Sequence, residues 1–319
     1  MKLKYLRVLI ILVLLMIAGV NSATAQTRQL KVGAVLSLTG PASVHGNNIL
    51  EGLNLAAKDL RQQGWQVEIV LEDDGTIPAR TVTAVQSLAD RGIRLFVGPT
   101  WSFLIAAAVP VLERRDLLAY APAASWEVGG GVSPALLYGT RCSSDKESEF
   151  LKWLQAEKIK TLAVLVANSD WAELHIEILK RAAAQAGVKI ISTQKYNYGD
   201  EESALPALAT KTAKSNPDAV FSTGSKEGLA KLTKLFEDYK FKTQLLGLED
   251  IRDAADDKLL PKKLQQLRLF TLTQPISPAF IEYFKKEYKR QPAIYSEPAY
   301  DGLMILSQAI AAVGGFPQA

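Results

Sequence analysis

Two hydrophobic patterns take turns along the chain. Short runs rich in Val, Leu and Ile are each followed by a stretch whose apolar residues recur at helical spacing. Residues 30–38 form the first run, broken by Thr39-Gly40-Pro41. Over 48–60, Ile49, Leu50, Leu53, Ala56, Ala57 and Leu60 fall on one helical face. Strands follow over 67–71, 94–97 and 117–121, with helices over 78–89 and 103–115 between them. This βαβαβαβ order predicts a parallel, doubly wound sheet. Ser144-Asp145-Lys146-Glu147 reads as a capping box for a helix over 149–155, and the alternation then restarts. Strands are predicted over 161–167, 188–193, 219–222 and 244–247, with helices over 171–186, 204–214 and 227–239. A strand over 267–273 and helices over 278–288 and 298–313 complete the pattern.

The expected fold is therefore α/β, two doubly wound parallel-sheet lobes joined by a hinge. Residues 26–140 form the first part of lobe 1, 141–248 form lobe 2, and 249–319 return to lobe 1. The chain crosses near 138–142 and again near 248–250. Its 319 residues suffice for two separate cores.

Residues 1–25 stand apart from this order. Lys2, Lys4 and Arg7 precede an apolar run over 8–20, and Ala23-Thr24-Ala25 fits a cleavage site before Gln26. The segment reads as a signal peptide, which places the mature protein in the periplasm or outside the cell. The run is short for a membrane span, and an uncleaved anchor is the alternative. No Cys stands at the cleavage point to carry a lipid. Without the three leader cations, 34 basic residues face 33 acidic ones, a net charge of +1. No Lys/Arg cluster is present, so no nucleic-acid partner is expected. The single Cys142 cannot close an intrachain disulfide and reads as a small buried hydrophobe.

Catalytic chemistry has little to draw on. Two histidines, His45 and His175, and one cysteine are available, and no G-x-S-x-G, H-E-x-x-H or C-x-x-C occurs. Glu72-Asp73-Asp74-Gly75 lacks the spaced ligands of a calcium loop and reads as a strand-end turn. Gly129-Gly130-Gly131 lacks the order of a nucleotide fingerprint. Thr223-Gly224-Ser225-Lys226 reads as a helix cap rather than a phosphate loop, and Asp253, Asp256 and Asp257 as a solvated face. No enzyme activity, metal or cofactor is expected. The informative stretch is 95–126. Two buried strands there each end in a turn holding hydroxyls beside an aromatic: Thr100, Trp101 and Ser102, then Ser125 and Trp126. Ligands of open parallel sheets sit outside the carboxyl ends of the strands, where helix N-termini favour a carboxylate. The plainer alternative is two strand-to-helix loops, with Ser102 capping the helix after it.

These segments carry a resemblance. Val97-Gly98 through Ser102, Pro122-Ala123-Ala124-Ser125, Ser37-Leu38-Thr39-Gly40-Pro41 with Gly46 and Glu51-Gly52, and the late Tyr300-Asp301 together resemble type I periplasmic binding proteins, in the leucine/isoleucine/valine-binding branch of ABC-transporter solute-binding proteins. The resemblance implies that the turns bearing Trp101, Ser102, Ala123 and Ser125 hold a ligand carboxylate. It places His45 where an aromatic residue commonly lines the cleft, and Trp171 over the ligand from the far lobe. The alternative for Trp171 is a helix-entry aromatic in the core. Acids that hold an α-ammonium in such proteins fall here at Ser143 and Gly228. Asp145 and Glu227 lie nearby but displaced, which leaves the ligand class open. Family members continue through further strands, so the chain is either incomplete or a shortened member. The implied role is capture of an amino-acid-like or small carboxylate or amide ligand, by a monomer, for the membrane permease of an ABC transporter. A ligand-sensing regulator of a receptor or envelope enzyme is the alternative.

Overall fold

A computed structural model of the chain describes residues 28–125, 133–139, 146–248, 267–269 and 276–313. The leader, Trp126, the glycine run, Cys142, Ser143, Ser144, Asp145 and the 253–257 acids lie outside them. The first sheet contains β1 (Gln29–Leu36), β2 (Gln66–Asp73), β3 (Leu95–Val97), β4 (Leu118–Ala121) and β5 (Leu136–Tyr138), in the order β2-β1-β3-β4-β5. Between its strands run α1 (Ser43–Gln62), α2 (Pro78–Asp90) and α3 (Ser102–Arg114). The second sheet follows α4 (Lys146–Ala156). It contains β6 (Thr161–Ala167), β7 (Lys189–Tyr196), β8 (Ala219–Ser222), β9 (Gln244–Gly247) and β10 (Leu267–Leu269), in the order β10-β9-β8-β6-β7. Its connecting helices are α5 (Asp170–Ala186), α6 (Glu201–Ser215) and α7 (Lys226–Asp238), and the chain closes with α8 (Pro278–Tyr288) and α9 (Ser296–Ala312). All strand pairs are parallel.

Parallel sheets carry helices on both faces, and the period of two along a strand divides its side chains between them. Along β6, Leu162, Val164 and Val166 join a core with Phe150 of α4 and Ile176 and Leu179 of α5. The alternate Ala163, Leu165 and Ala167 join a different core with Leu205 of α6 and Leu229 of α7. In the first sheet Leu30, Val32, Ala34 and Leu36 pack against α1 and α9. Val35 and Phe96 face α2 and α3.

Two expectations change. Residues 136–138 form a strand, β5, that the pattern did not announce. The strand placed in the return to lobe 1 instead pairs with β9, so β10 belongs to the second sheet. The physical reason is register: Leu267–Leu269 aligns with Leu245–Gly247 at the open edge of that sheet. The second crossing therefore follows Leu269.

Helices α8 and α9 do return, and they dock on α1. Phe280 and Phe284 pack on Leu55. Asp59 accepts hydrogen bonds from the hydroxyls of Tyr283 and Tyr300, and Arg290 pairs with Glu51. Gly52 makes the α1–α9 approach possible, since a Cβ there would lie 2.0 Å from the Ser296 carbonyl oxygen; Gly302 lets α9 lie against β4, where a Cβ would stand 2.1 Å from the Tyr120 ring.

The acidic turn after β2 organises the loop that leads into α1. Asp73 accepts bonds from the N–H groups of Leu38, Thr39 and Gly75 and from the Thr39 hydroxyl. Buried Asp74 accepts from the Ser37 hydroxyl at 2.6 Å, the Thr76 N–H at 2.9 Å and the Thr81 hydroxyl at 2.9 Å. These carboxylates are occupied by the chain itself, and no group of metal-ligating residues occurs among the described residues.

Candidate functional site

A cleft lies where the two lobes meet. Lobe 1 supplies His45 from α1, Trp101, Ser102 and Phe103 from the start of α3, Ala123 from the turn after β4, and Tyr295. Lobe 2 supplies Ser169 and Trp171 from the start of α5, Tyr198 from beyond β7, and Thr223 with Gly224 from beyond β8. Most of these residues stand beyond the carboxyl end of a strand, where loops of a parallel sheet converge.

The β3–α3 turn shows how the sequence builds the wall. Gly98 has φ +91, and a Cβ there would lie 2.2 Å from the Val35 carbonyl oxygen, so only glycine fits. Thr100 is buried beneath the wall, where its hydroxyl oxygen accepts from the Ser37 N–H at 2.9 Å. Trp101, in extended backbone, occupies the N-cap position without a side-chain cap bond, and Ser102 is the first helical residue. The capping alternative for Ser102 is thereby corrected. Its oxygen turns sideways and accepts from the Ser125 N–H at 3.0 Å. That bond ties the two serine turns together and leaves the Ser102 proton to donate elsewhere. Ser125 is fully buried and stands behind Ser102 rather than on the cleft wall.

Aromatic rings form the rest of the enclosure. The Trp101 indole N–H donates to His45 Nδ1 at 2.7 Å. With Nδ1 as the acceptor, this bond corresponds to an imidazole whose proton sits on Nε2. Tyr295, at φ +71 before α9, meets the His45 ring edge-on at 4.9 Å between centroids. Across the cleft, Trp101 contacts Tyr198 at 5.7 Å between ring centroids. Trp171 stands between the cleft and the core. It lines the cleft, and it is partly packed on the lobe 2 core, 4.2 Å from the His175 ring. The ammonium of Lys146, whose side chain is buried, lies 5.6 Å from the Trp171 ring centroid.

Among the described residues, no Asp, Glu, Lys or Arg lines the cleft. Glu227 is corrected in position. The Ser225 hydroxyl caps α7 by accepting from the Gly228 N–H at 3.0 Å, which puts Glu227 in the exposed first turn beside Lys226. Asp145 lies outside the described residues. The polarity that remains is neutral or dipolar: the hydroxyls of Ser102, Ser169 and Thr223, and the N-terminal ends of α3 and α5, which carry partial positive charge. Phe103, Ser169, Tyr198, Thr223, Gly224 and Tyr295 were missed in the sequence. The strand-end rule would have found Ser169, Tyr198 and Thr223, each just past a strand's carboxyl end. Tyr295 precedes a helix far along the chain, and nothing local marks it.

Two parallel, doubly wound lobes sharing one aromatic cleft define a type I binding-protein fold. The chain belongs to the periplasmic binding protein family, whose profile matches residues 29–319. It is 23% identical over 315 residues to a leucine-, isoleucine-, valine-, threonine- and alanine-binding protein of Pseudomonas aeruginosa, an alignment spanning 93% of this chain and 82% of that protein. A leucine-binding protein from Thermotoga maritima superposes with TM-score 0.80 at 19% identity, over 90% of this chain and 84% of that one. An ABC-transporter solute-binding protein from Rhodopseudomonas palustris, in complex with 3,4-dihydroxybenzoic acid, superposes with TM-score 0.77 at 20% identity, over 90% and 82%. The family is one of solute-binding proteins rather than enzymes, and no described helix is long and apolar enough to cross a membrane.

Proposed function

We propose that this chain is the extracytoplasmic receptor of an ABC importer, and that its ligand is a small carboxylate with an aromatic or apolar body. The supporting observation is the composition of the cleft. Six ring side chains surround it, neutral hydroxyls and two helix starts supply donors, and no carboxylate among the described lining residues stands ready for an ammonium group. An unpaired ammonium taken out of water is costly, whereas a carboxylate meets N–H and O–H donors here. Rings from both lobes would bury an apolar body. Ser102 would hold the carboxylate at the start of α3, with Ala123 beside it, and Trp171 would cover the ligand from lobe 2. His45 and Trp101 would close the lobe 1 end. Binding would draw the lobes together, because the ligand gains contacts with both only when they meet. The leader directs cleavage before Gln26 and export, and the receptor acts as a monomer that delivers its load to a membrane permease.

Calorimetric titration with benzoate, 4-hydroxybenzoate, leucine and isoleucine tests the ligand class. Tighter binding of the aromatic acids is expected. Tight leucine binding, with no response to either aromatic acid, would replace this reading with an amino-acid receptor. N-terminal sequencing of exported protein tests the leader, and an intact Met1 on a membrane-bound product would reject cleavage.

A further inference from the structure

Each lobe presents one serine to the cleft, and the two are held alike. On lobe 1 the Ser102 oxygen accepts from the Ser125 N–H at 3.0 Å. On lobe 2 Ser169 is the N-cap of α5, and its oxygen accepts from the Ala172 N–H at 3.1 Å. A backbone N–H can only donate, so each serine oxygen is the acceptor and its own proton is left to give. Among the described residues neither proton has an acceptor, and both side chains line the cleft. We propose that Ser169 is a specificity-determining residue that donates to a second oxygen of the ligand. The ligand is then an aromatic acid whose ring carries a hydroxyl or another oxygen substituent away from its carboxylate. The inference rests on the reading of the cleft as a site for aromatic carboxylates, with Ser102 at the carboxylate.

The other capping serines of the chain show what is unusual here. Ser225 caps α7 by accepting from the Gly228 N–H, and its proton goes to Glu201 Oε1 at 3.0 Å. Ser277 caps α8 by accepting from the Phe280 N–H, and its proton goes to Glu297. In both, the chain supplies an acceptor for the hydroxyl. Ser169 makes the same cap and is given no such acceptor among the described residues, and of the three it is the one on the cleft wall.

An enclosed ligand takes water away from the wall it touches. A donor covered by carbon then loses its water partner and gains nothing in return, which costs more than a made bond contributes. A ring with only carbon at its lobe 2 end covers Ser169 in this way, whereas an oxygen there accepts the proton. The wall suits such a group in other respects. Thr223 stands beyond β8, the strand beside β6, and adds a second hydroxyl to the lobe 2 side of the cleft. Sites that hydrogen-bond a ligand oxygen discriminate strongly against the analogue that lacks it, because the polar group of the site is left bare.

Calorimetric titration compares 4-hydroxybenzoate with 4-methylbenzoate, and 3-hydroxybenzoate with 3-methylbenzoate. Within each pair the shape is nearly constant, and oxygen is exchanged for carbon. In wild type the hydroxyl member of at least one pair should bind about tenfold tighter, as expected for one hydrogen bond made rather than one donor left bare. Ser169→Gly removes the hydroxyl while keeping a residue that N-cap positions accept, and the ratio of Kd values within that pair should fall to about one. Ser169→Thr keeps both the cap and the proton and should retain the wild-type ratio. Ser102→Ala should weaken both members together and leave the ratio standing. A Ser169 that only caps α5 would weaken both members alike when changed to Gly, so a wild-type ratio in Ser169→Gly overturns the proposal. Equal binding within both pairs by the wild type overturns it as well, as does a ratio that collapses in Ser102→Ala instead. Benzoates that bind without discrimination overturn this inference and leave the aromatic-acid reading intact. Failure of every benzoate to bind the wild type rejects that reading, and the inference falls with it.

Discussion

The joint between α1 and α9 carries His45 at one helix start and Tyr295 at the other, so a change at the crossing point reaches the cleft. Gly52→Ala is the sharpest perturbation of it. In isolation the change favours the helix, because Ala exceeds Gly by about 1 kcal/mol in a helix interior. The structure opposes that gain. The new Cβ would lie 2.0 Å from the Ser296 carbonyl oxygen, 2.9 Å from its carbon and 3.1 Å from the Ala299 Cβ. Two of the three atoms are backbone, and no side-chain rotation relieves them. The first contact must lengthen by about 1 Å before it reaches the closest separation that Cβ atoms tolerate. That moves α9 away from α1 along a seam holding Leu53, Ala56, Leu60, Leu303 and Leu306. Forcing one methyl into a packed core costs about 1–3 kcal/mol, and a clash with backbone belongs at the upper end. Subtracting the propensity gain leaves a loss of about 2 kcal/mol. Urea denaturation followed by circular dichroism should show a lower midpoint at unchanged slope. A Gly52→Ala protein as stable as wild type, or more stable, would refute the close approach and the placement of α9 with it.

Ser102→Ala leaves the buried Ser125 N–H without its acceptor, so it should cost about 1–3 kcal/mol in denaturation and weaken a carboxylate ligand about tenfold or more; unchanged affinity in calorimetry removes Ser102 from the site. Ser125→Ala keeps the N–H that Ser102 accepts, and should weaken binding less than Ser102→Ala does; the reverse order would place the Ser125 hydroxyl on the ligand. Trp171→Ala should lower affinity more than tenfold while costing less than the 3–5 kcal/mol of a fully buried tryptophan; a large stability loss with affinity intact would make it a core residue alone. Burial pulls the Asp73 carboxyl upward, but the bonds it accepts from Gly75, Thr39 and Leu38 outweigh that and hold it below its ordinary 3.8. Its stabilisation is therefore full above that value and fades as pH falls through the lower folded one. Asp73→Asn should flatten the loss of stability below about pH 4 in acid-dependent urea melts, and an unchanged slope would assign that loss to other groups.

How much of this was legible in the sequence depended on how each segment is buried. Strands β6, β8 and β9 and helix α8 were readable to the residue, because sheets covered on both faces demand unbroken apolar runs and α8 opens at Ser277-Pro278. β5 escaped notice because three residues carry no period. The first turn of α1 escaped because Ser43, His45 and Asn47 interrupt the apolar face. His45 is buried there by a side-chain partner 56 positions away, which local pattern does not encode. The site divided along the same line. Trp101, Ser102, Ala123 and Trp171 stand in turns that the strand-end rule selects, and the fold brings them to one cleft. Glu227 was named only as the acid beside Gly228, the position that the resemblance implies for an ammonium contact, and the capped start of α7 puts it outside. Tyr295 reaches the cleft only because α9 packs on α1.

The division between what the two lobes offer bears on selectivity. A receptor that encloses its ligand removes it from water, so every charge on the ligand needs a partner inside. On the proposed reading, lobe 1 would meet an anion with the start of α3 and a serine proton, which would orient it without a buried counter-ion. Lobe 2 contributes rings, hydroxyls and the start of α5, and its acid Glu227 faces solvent instead. A ligand with a carboxylate and a flat, mainly apolar body satisfies both lobes as described. A ligand with an added ammonium has to find its counter-charge elsewhere or forgo closure. On the proposed reading closure is the state the ligand stabilises, so such a deficit would lower the closed population as well as the contact energy. Trp101 stands at the junction of the two. It donates to His45 on its own lobe and meets Tyr198 on the other, so it links the two walls of the cleft.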